Sequence, residues 1–194
     1  MIRTFLILAG YFLMILSGCQ NTSQKKSLTP EEQANYISKG KLVSGLSFKA
    51  LSGEVLKALN EGGVQHAVDY CRVHASPLID SLSRHHQVKI SRVSEKYRNP
   101  QNKPDALDLE VLRAYQEQMN SGTELQPHLE VTAENVIFYS PILILNPVCL
   151  NCHGEPGSTA VQENIDFIKT KYPDDRAVGY RMGDLRGLWK ITTR

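Results

Sequence analysis

The chain has 194 residues, with 22 Lys+Arg against 20 Asp+Glu, a formal charge of +2 and 41% hydrophobic content. These values suit one globular domain and exclude a disordered, collagen-like or disulfide-rich chain. The near-balanced charge supplies no basic field for phosphate neutralisation, so no nucleic-acid partner is expected.

Residues 1–18 read as a lipoprotein signal peptide. Arg3 precedes a mostly apolar run, Phe5 to Leu16, which has the length of an export h-region and is too short to cross a bilayer as a helix. Leu16-Ser17-Gly18-Cys19 resembles the lipobox of bacterial lipoproteins, in which the chain is cut before the cysteine and its thiol is acylated. Cys19 is therefore the expected lipidation site, and the membrane is a partner through that anchor. Gln20, in place of Asp, favours the outer over the inner membrane by Gram-negative sorting rules, with the domain on the periplasmic side. Residues 19–28 are the expected flexible tether, since Gln20 to Ser27 are polar and lack a hydrophobic period. Residues 29–194 form the domain.

Thr29-Pro30-Glu31-Glu32 is a helix start, with Thr29 as cap, Pro30 in the first turn and Glu32 closing a capping box. The helix is expected to run through Leu42, Leu46, Leu51, Val55, Leu56 and Leu59 to Gly62-Gly63, with bends at Gly45 and Gly53. A second helix carries Val64, Ala67, Cys71, Ala75, Leu78 and Leu82 at steps of three and four, which centres Cys71 on a buried stripe. Gln87 to Val93 alternates as a strand. A proline-containing loop at residues 99–104 precedes a third helix from Asp105 to Met119. Strands are expected at residues 130–133 and 136–145, the second with Pro141 at an edge or bend. A short helix around Ile165, Phe167 and Ile168 and a closing strand at residues 188–192 complete the chain. Helices first and strands later, without regular alternation, predict an α+β fold with an antiparallel sheet.

Cys149-Leu150-Asn151-Cys152-His153 is C-x-x-C-H, the attachment signature of c-type haem. Two thiols three positions apart reach the two vinyl groups on one porphyrin edge, and the adjacent imidazole meets the iron. A zinc ribbon would need a second ligand pair, and the sequence offers none. One covalent haem c is the expected cofactor, with Cys149 and Cys152 as its thioether residues and His153 as an iron ligand. The chain has four cysteines, so Cys71 is left over. It is either a small buried apolar residue or the second axial ligand. A thiolate there would stabilise ferric iron and lower the potential relative to Met/His ligation. Met182, Met119, His66, His74, His85, His86 and His128 are the competing ligands, and His74 lies one helical turn from Cys71.

Several segments together resemble the Tll-type c-haem family, a domain of unknown function with a PAS-like sensor architecture. They are residues 92–104 (RVSEKYRNPQNKP), Tyr139-Ser140-Pro141-Ile142, CLNCHGEP at 149–156, Tyr172-Pro173-Asp174-Asp175, and residues 179–187 (GYRMGDLRG). The resemblance extends over nearly all of the domain. It implies a PAS-like antiparallel sheet flanked by helices, a covalent haem, and axial ligation by His153 and Cys71. Haem propionates need guanidinium or amide partners when partly buried, and Arg92, Arg98, Arg181 and Arg186 in the matching segments are candidates. Gly154, Gly179, Gly183 and Gly187 are expected to serve turns or close backbone approach to the porphyrin. Trp189 is expected in the core, while Tyr180 is a candidate to pack on the ring.

The function expected on these grounds is a lipid-anchored monohaem c-type cytochrome acting as a redox or diatomic-gas sensor, with a separate signalling partner. A plain electron carrier with a redox partner protein is the alternative. A haem peroxidase is the third reading, and the ligation implied by the resemblance argues against it because a peroxidase needs an open distal site. No acid/base pair, nucleophile triad or phosphate loop is found, and an enzyme is not expected.

Overall fold

Thr29 caps the first helix reciprocally. The Glu32 N–H donates to the Thr29 hydroxyl at 3.2 Å, and the Thr29 N–H donates to the Glu32 carboxylate at 2.8 Å. Pro30 follows in the first turn, where its missing N–H would have had no helical partner. The computed structural model describes residues 27–193, so the expected signal peptide, Cys19 and most of the tether lie outside the described residues. The helix, α1, spans Pro30–His86, but Gly62 (φ −158°, ψ 19°) and Gly63 (φ 71°, ψ −163°) leave helical space. Glycine at 63 is required by that positive φ. The two arms fold back on one another: the Tyr70 hydroxyl donates to Glu54 at 2.7 Å, and Val43 and Ile79 share one core cluster. The division at Gly62-Gly63 is as expected, whereas the bends at Gly45 and Gly53 are absent. Both of those glycines face open space, so no packing force exploits their freedom.

Strands β1 (Lys89–Val93), β2 (His128–Val131), β3 (Val136–Leu143) and β4 (Leu185–Thr193) form one antiparallel sheet in the order β1-β4-β3-β2. Residues alternate between its faces. Ile90, Phe138, Trp189 and Ile191 pack on both arms of α1 through Val43 and Ile79. On the other face Val93, Ile137, Tyr139 and Leu188 pack on α2 (Ala106–Asn120) through Val111, Leu112 and Tyr115. Each such fully buried large side chain is worth about 1.5–3 kcal/mol in apolar transfer. The fold is α+β, an antiparallel sheet held between helices, and Trp189 belongs to its core.

Every strand differs from expectation at one or both ends, β1 beginning at Lys89 rather than Gln87. β2 spans His128–Val131 rather than 130–133, and it ends at Val131 because Thr132 and Asn135 close the hairpin turn, the Thr132 N–H donating to the Asn135 carbonyl at 2.9 Å. β3 stops at Leu143, just past a register shift between Ile142 and Leu143. β4 begins at Leu185 because Gly187, which reads as loop, lets the Val93 carbonyl approach so closely that a Cβ would collide with it. Pro141 is tolerated inside β3 because β2 pairs only as far as Tyr139, leaving β3 a local edge at the proline.

Candidate functional site

The motif cysteines sit on a short helical segment beyond the end of β3. The Asn146 side chain accepts from the Val148 N–H at 2.9 Å, and Pro147 opens a 3-10 turn, Pro147–Cys149. The turn continues into α3 (Leu150–His153), and helical spacing puts Cys149 and Cys152 on one face. Cys149 packs against Ile144, Ala177 and Tyr180; Cys152 packs against Val68 of α1 together with Ala160, Ile165 and Ile168, the last two on α4 (Gln162–Lys171). A Cβ at Gly154 would collide with the Thr159 side chain and lie 2.7 Å from the Leu150 carbonyl. Tight closure behind the motif therefore requires glycine there. The Tyr180 N–H donates to the His153 carbonyl at 2.9 Å, which pins residues 177–180 across the end of α3.

His153 is held in one tautomer. Its Nδ1 lies 2.8 Å from the Ala177 carbonyl, which can only accept, so the proton is on Nδ1 and the Nε2 lone pair is left for a metal. Burial, with the nearby guanidiniums of Arg186, Arg98 and Arg92, holds the imidazole well below its ordinary value and therefore neutral. The Ala177 carbonyl is itself fixed. Arg98 donates to the Cys152 carbonyl at 2.6 Å, to the Ala177 carbonyl at 3.4 Å and to Asp175 at 3.1 Å. Asp175 accepts in turn from the Ala177 N–H at 2.9 Å. Asp175 and Ala177 are site residues that the sequence alone did not single out. Asp175 lies in the Tyr172-Pro173-Asp174-Asp175 segment, but nothing local marks it as the partner of an arginine 77 positions away.

Cys71, on the second arm of α1, faces the same region. Burial pushes its thiol up, the neighbouring Cys152 adds to this, and Arg92 and Arg98 oppose it. Tyr172 is raised by its own burial and then by Cys71. The other candidate ligands have different surroundings. His66 lies 3.6 Å from Glu61, His74 stacks on Tyr70 at 4.5 Å, His85 and His86 meet edge to face, and His128 bonds Glu130 at 2.7 Å. Met182 is exposed, and Met119 lines a cavity of about 360 Å³ on the α2 side of the sheet, which the thiols do not line.

The arginines separate into two groups. Arg92, Arg98 and Arg186 are the charges that bear on His153. Arg181 is exposed, with only its backbone N–H engaged, at 2.7 Å from Asp184. Arg186 lies 5.4 Å from the Tyr180 ring centroid and donates to the Ser94 hydroxyl at 2.9 Å and the Lys96 carbonyl at 3.2 Å, yet its Nε is buried without a hydrogen-bond partner. The Arg92 guanidinium lies 6.0 Å from the Trp189 ring centroid; burial and Arg186 both depress its value. Among the described residues, Asp175 is the one carboxylate in ion-pair contact with any of the three. The region thus carries excess positive charge, which suits a group bearing two carboxylates. Among the described residues no three His, Cys, Asp or Glu side chains converge to hold a metal ion. One imidazole and one thiol are an incomplete set for a bare ion, but they suffice for an iron that brings four porphyrin nitrogens. The residues present therefore fit a haem.

The sequence model of the Tll0287-like family matches residues 16–194. A solved structure described as the crystal structure of the cyanobacterial haem-protein Tll0287 is 26% identical, with a TM-score of 0.58, and the match covers 86% of this chain and 96% of that one. None of the curated proteins matches the chain.

Proposed function

The chain belongs to the Tll0287-like family, and on that premise we propose that it is a haem protein: a lipid-anchored periplasmic cytochrome with one covalent c-type haem, acting as a redox or diatomic-gas sensor. Cys149 and Cys152 would hold the haem through thioethers, His153 and Cys71 would supply the nitrogen and sulfur that bind its iron, and Arg92 and Arg186 would pair with the propionates. When bound, the iron supplies a one-electron couple and, if an axial position opens, a site for a small gas. The observation that carries this reading is the shared environment of Cys71, Cys152 and the neutral, tautomer-fixed His153 under three arginines.

The chain's own residues divide the work. Arg98 and Asp175 hold the carbonyl that orients His153, so that ligand is rigid. Cys71 is on the weaker support: Pro77, six residues on, cannot donate to the Val73 carbonyl, so one helical hydrogen bond is missing beside it although the backbone stays helical there. A sensor needs one fixed ligand and one that can move, and movement of Cys71 would be transmitted through Ile79 to the α1-facing side of the sheet.

The test is to make the full chain with a cytochrome c maturation system. The intact mass under denaturing conditions should exceed the polypeptide by one haem, and the mass of the N-terminal peptide should report acylation of Cys19. CO binding to the reduced protein supports sensing, and a reversible couple without CO binding supports electron transfer instead. Absence of covalent haem ends the proposal.

A further inference from the structure

The first arm of α1 has an outer face that the core does not use. Leu42 (59%), Leu46 (39%), Phe48 (54%) and Leu56 (43%) are exposed there. At 100° per residue Leu42 and Leu56 lie across the helix from the buried Val43, Ser47 and Ala58, while Leu46 lies to one side, bordering an open groove with Leu82, His85 and His86 of the second arm, and Phe48 to the other. Lys39, Lys41, Lys49 and Lys57, all exposed, are interleaved with them. From Gln33 to Gly53 the arm contains no Asp or Glu. Beyond that stretch, Glu54 is occupied by the Tyr70 hydroxyl at 2.7 Å, and Glu61 lies 4.0 Å from Lys57. The glycines at 45 and 53 add no bulk to the face.

A stripe of leucines flanked by ammonium groups is the pattern of a helix lying in a lipid interface, its apolar face at the acyl boundary and its lysines among anionic headgroups. Two copies packed through this face would instead oppose lysine to lysine. The chain outside the structure favours lipid as well. The residues between Cys19 and Pro30 extend to roughly 35 Å, enough to bring an arm of about 48 Å against the bilayer that holds the anchor.

We infer that this face of α1 docks on an anionic phospholipid surface, laying the first arm along the membrane. The inference rests on the proposed anchor for proximity alone. The test uses the mature chain reconstituted in phosphatidylglycerol/phosphatidylcholine vesicles and in pure phosphatidylcholine vesicles. Amine acetylation is read residue by residue by mass spectrometry, with the exposed Lys103 and Lys169 as internal references. Acetylation of Lys39, Lys41 and Lys49 should slow about fivefold relative to the references in anionic vesicles and not in neutral ones, and Leu42→Ser/Leu46→Ser should remove most of the protection. Equal rates in both vesicles overturn the inference. So does protection that grows with protein density in neutral vesicles, which would mark a second copy as the occupant. The mass of the N-terminal peptide reports the anchor separately; if it carries no acyl chain, the same protection pattern is expected when the chain is added to preformed vesicles.

Discussion

Lys190 and Arg98 are both enclosed cations, and the company each keeps differs. On the α2 side Lys190 meets Asp105 at 2.9 Å and Asp108 at 2.7 Å, and Asp108 also accepts from the buried Tyr139 hydroxyl at 2.7 Å. Every charge in that group has an opposite charge or a donor beside it, and the group ties the start of α2 to the sheet. At the motif end Arg98 shares its surroundings with Arg92 and Arg186, and Asp175 is the carboxylate in contact. A buried polar group that closes on itself is structural, whereas one left with surplus charge is built for something the chain does not supply. The contrast separates scaffold from site without reference to the motif.

The largest effect should come from the thiols. Cys149→Ser/Cys152→Ser should lose all denaturation-resistant haem by pyridine haemochrome assay while the α2 side of the fold is untouched; full retention would place the attachment elsewhere. Next is the lock between the regions. Asp175→Ala leaves Arg98 buried without its partner and should cost about 3–5 kcal/mol in urea unfolding, with the loss reduced in Arg98→Met/Asp175→Ala. A loss below about 1 kcal/mol would mean that the ion pair does not hold residues 175–177 in place.

The scaffold region should announce itself at high pH. Burial pushes Tyr115 up to about 12. Its folded value lies above its ordinary value of 10, so its contribution is fully present below pH 10 and is lost as pH rises through about 12. A tenfold difference in proton affinity between the folded and unfolded chain corresponds to about 1.4 kcal/mol. Tyr115→Phe should flatten this decline, and an unchanged alkaline slope would contradict it. The smallest effect belongs to Arg181, exposed and outside both groups. Arg181→Gln should stay within about 0.5 kcal/mol of the parent and leave the redox potential where it was.

Features written in a few adjacent residues were legible in the sequence. Thr29 with Glu32, the helix opening at Asp105 and the break at Gly62-Gly63 each depend on local stereochemistry, and each is found in place. Cys71 could be singled out because a cysteine was left over after the motif and lipobox were assigned, but its approach to Cys152 is a product of α1 folding back and of α4 packing on it. The lock between Arg98, Asp175 and the Ala177 carbonyl was not legible, since it joins residues 77 and 79 positions apart. Neither was the start of β4: Gly187 and its charged neighbour read as loop, and only the approach of the Val93 carbonyl makes them strand. That no bend occurs at Gly45 or Gly53 has the same origin, because glycine permits a departure from the helix and packing decides whether one happens.

In the proposed function Cys71 and His153 would both bind one iron. Low-temperature EPR of the oxidised, haem-loaded protein, beside its Cys71→Ala variant, tests it most directly. The expected result is a low-spin thiolate signal in the parent and its replacement in the variant by a high-spin signal or that of another ligand, with covalent haem retained. An unchanged low-spin thiolate signal in Cys71→Ala would contradict it.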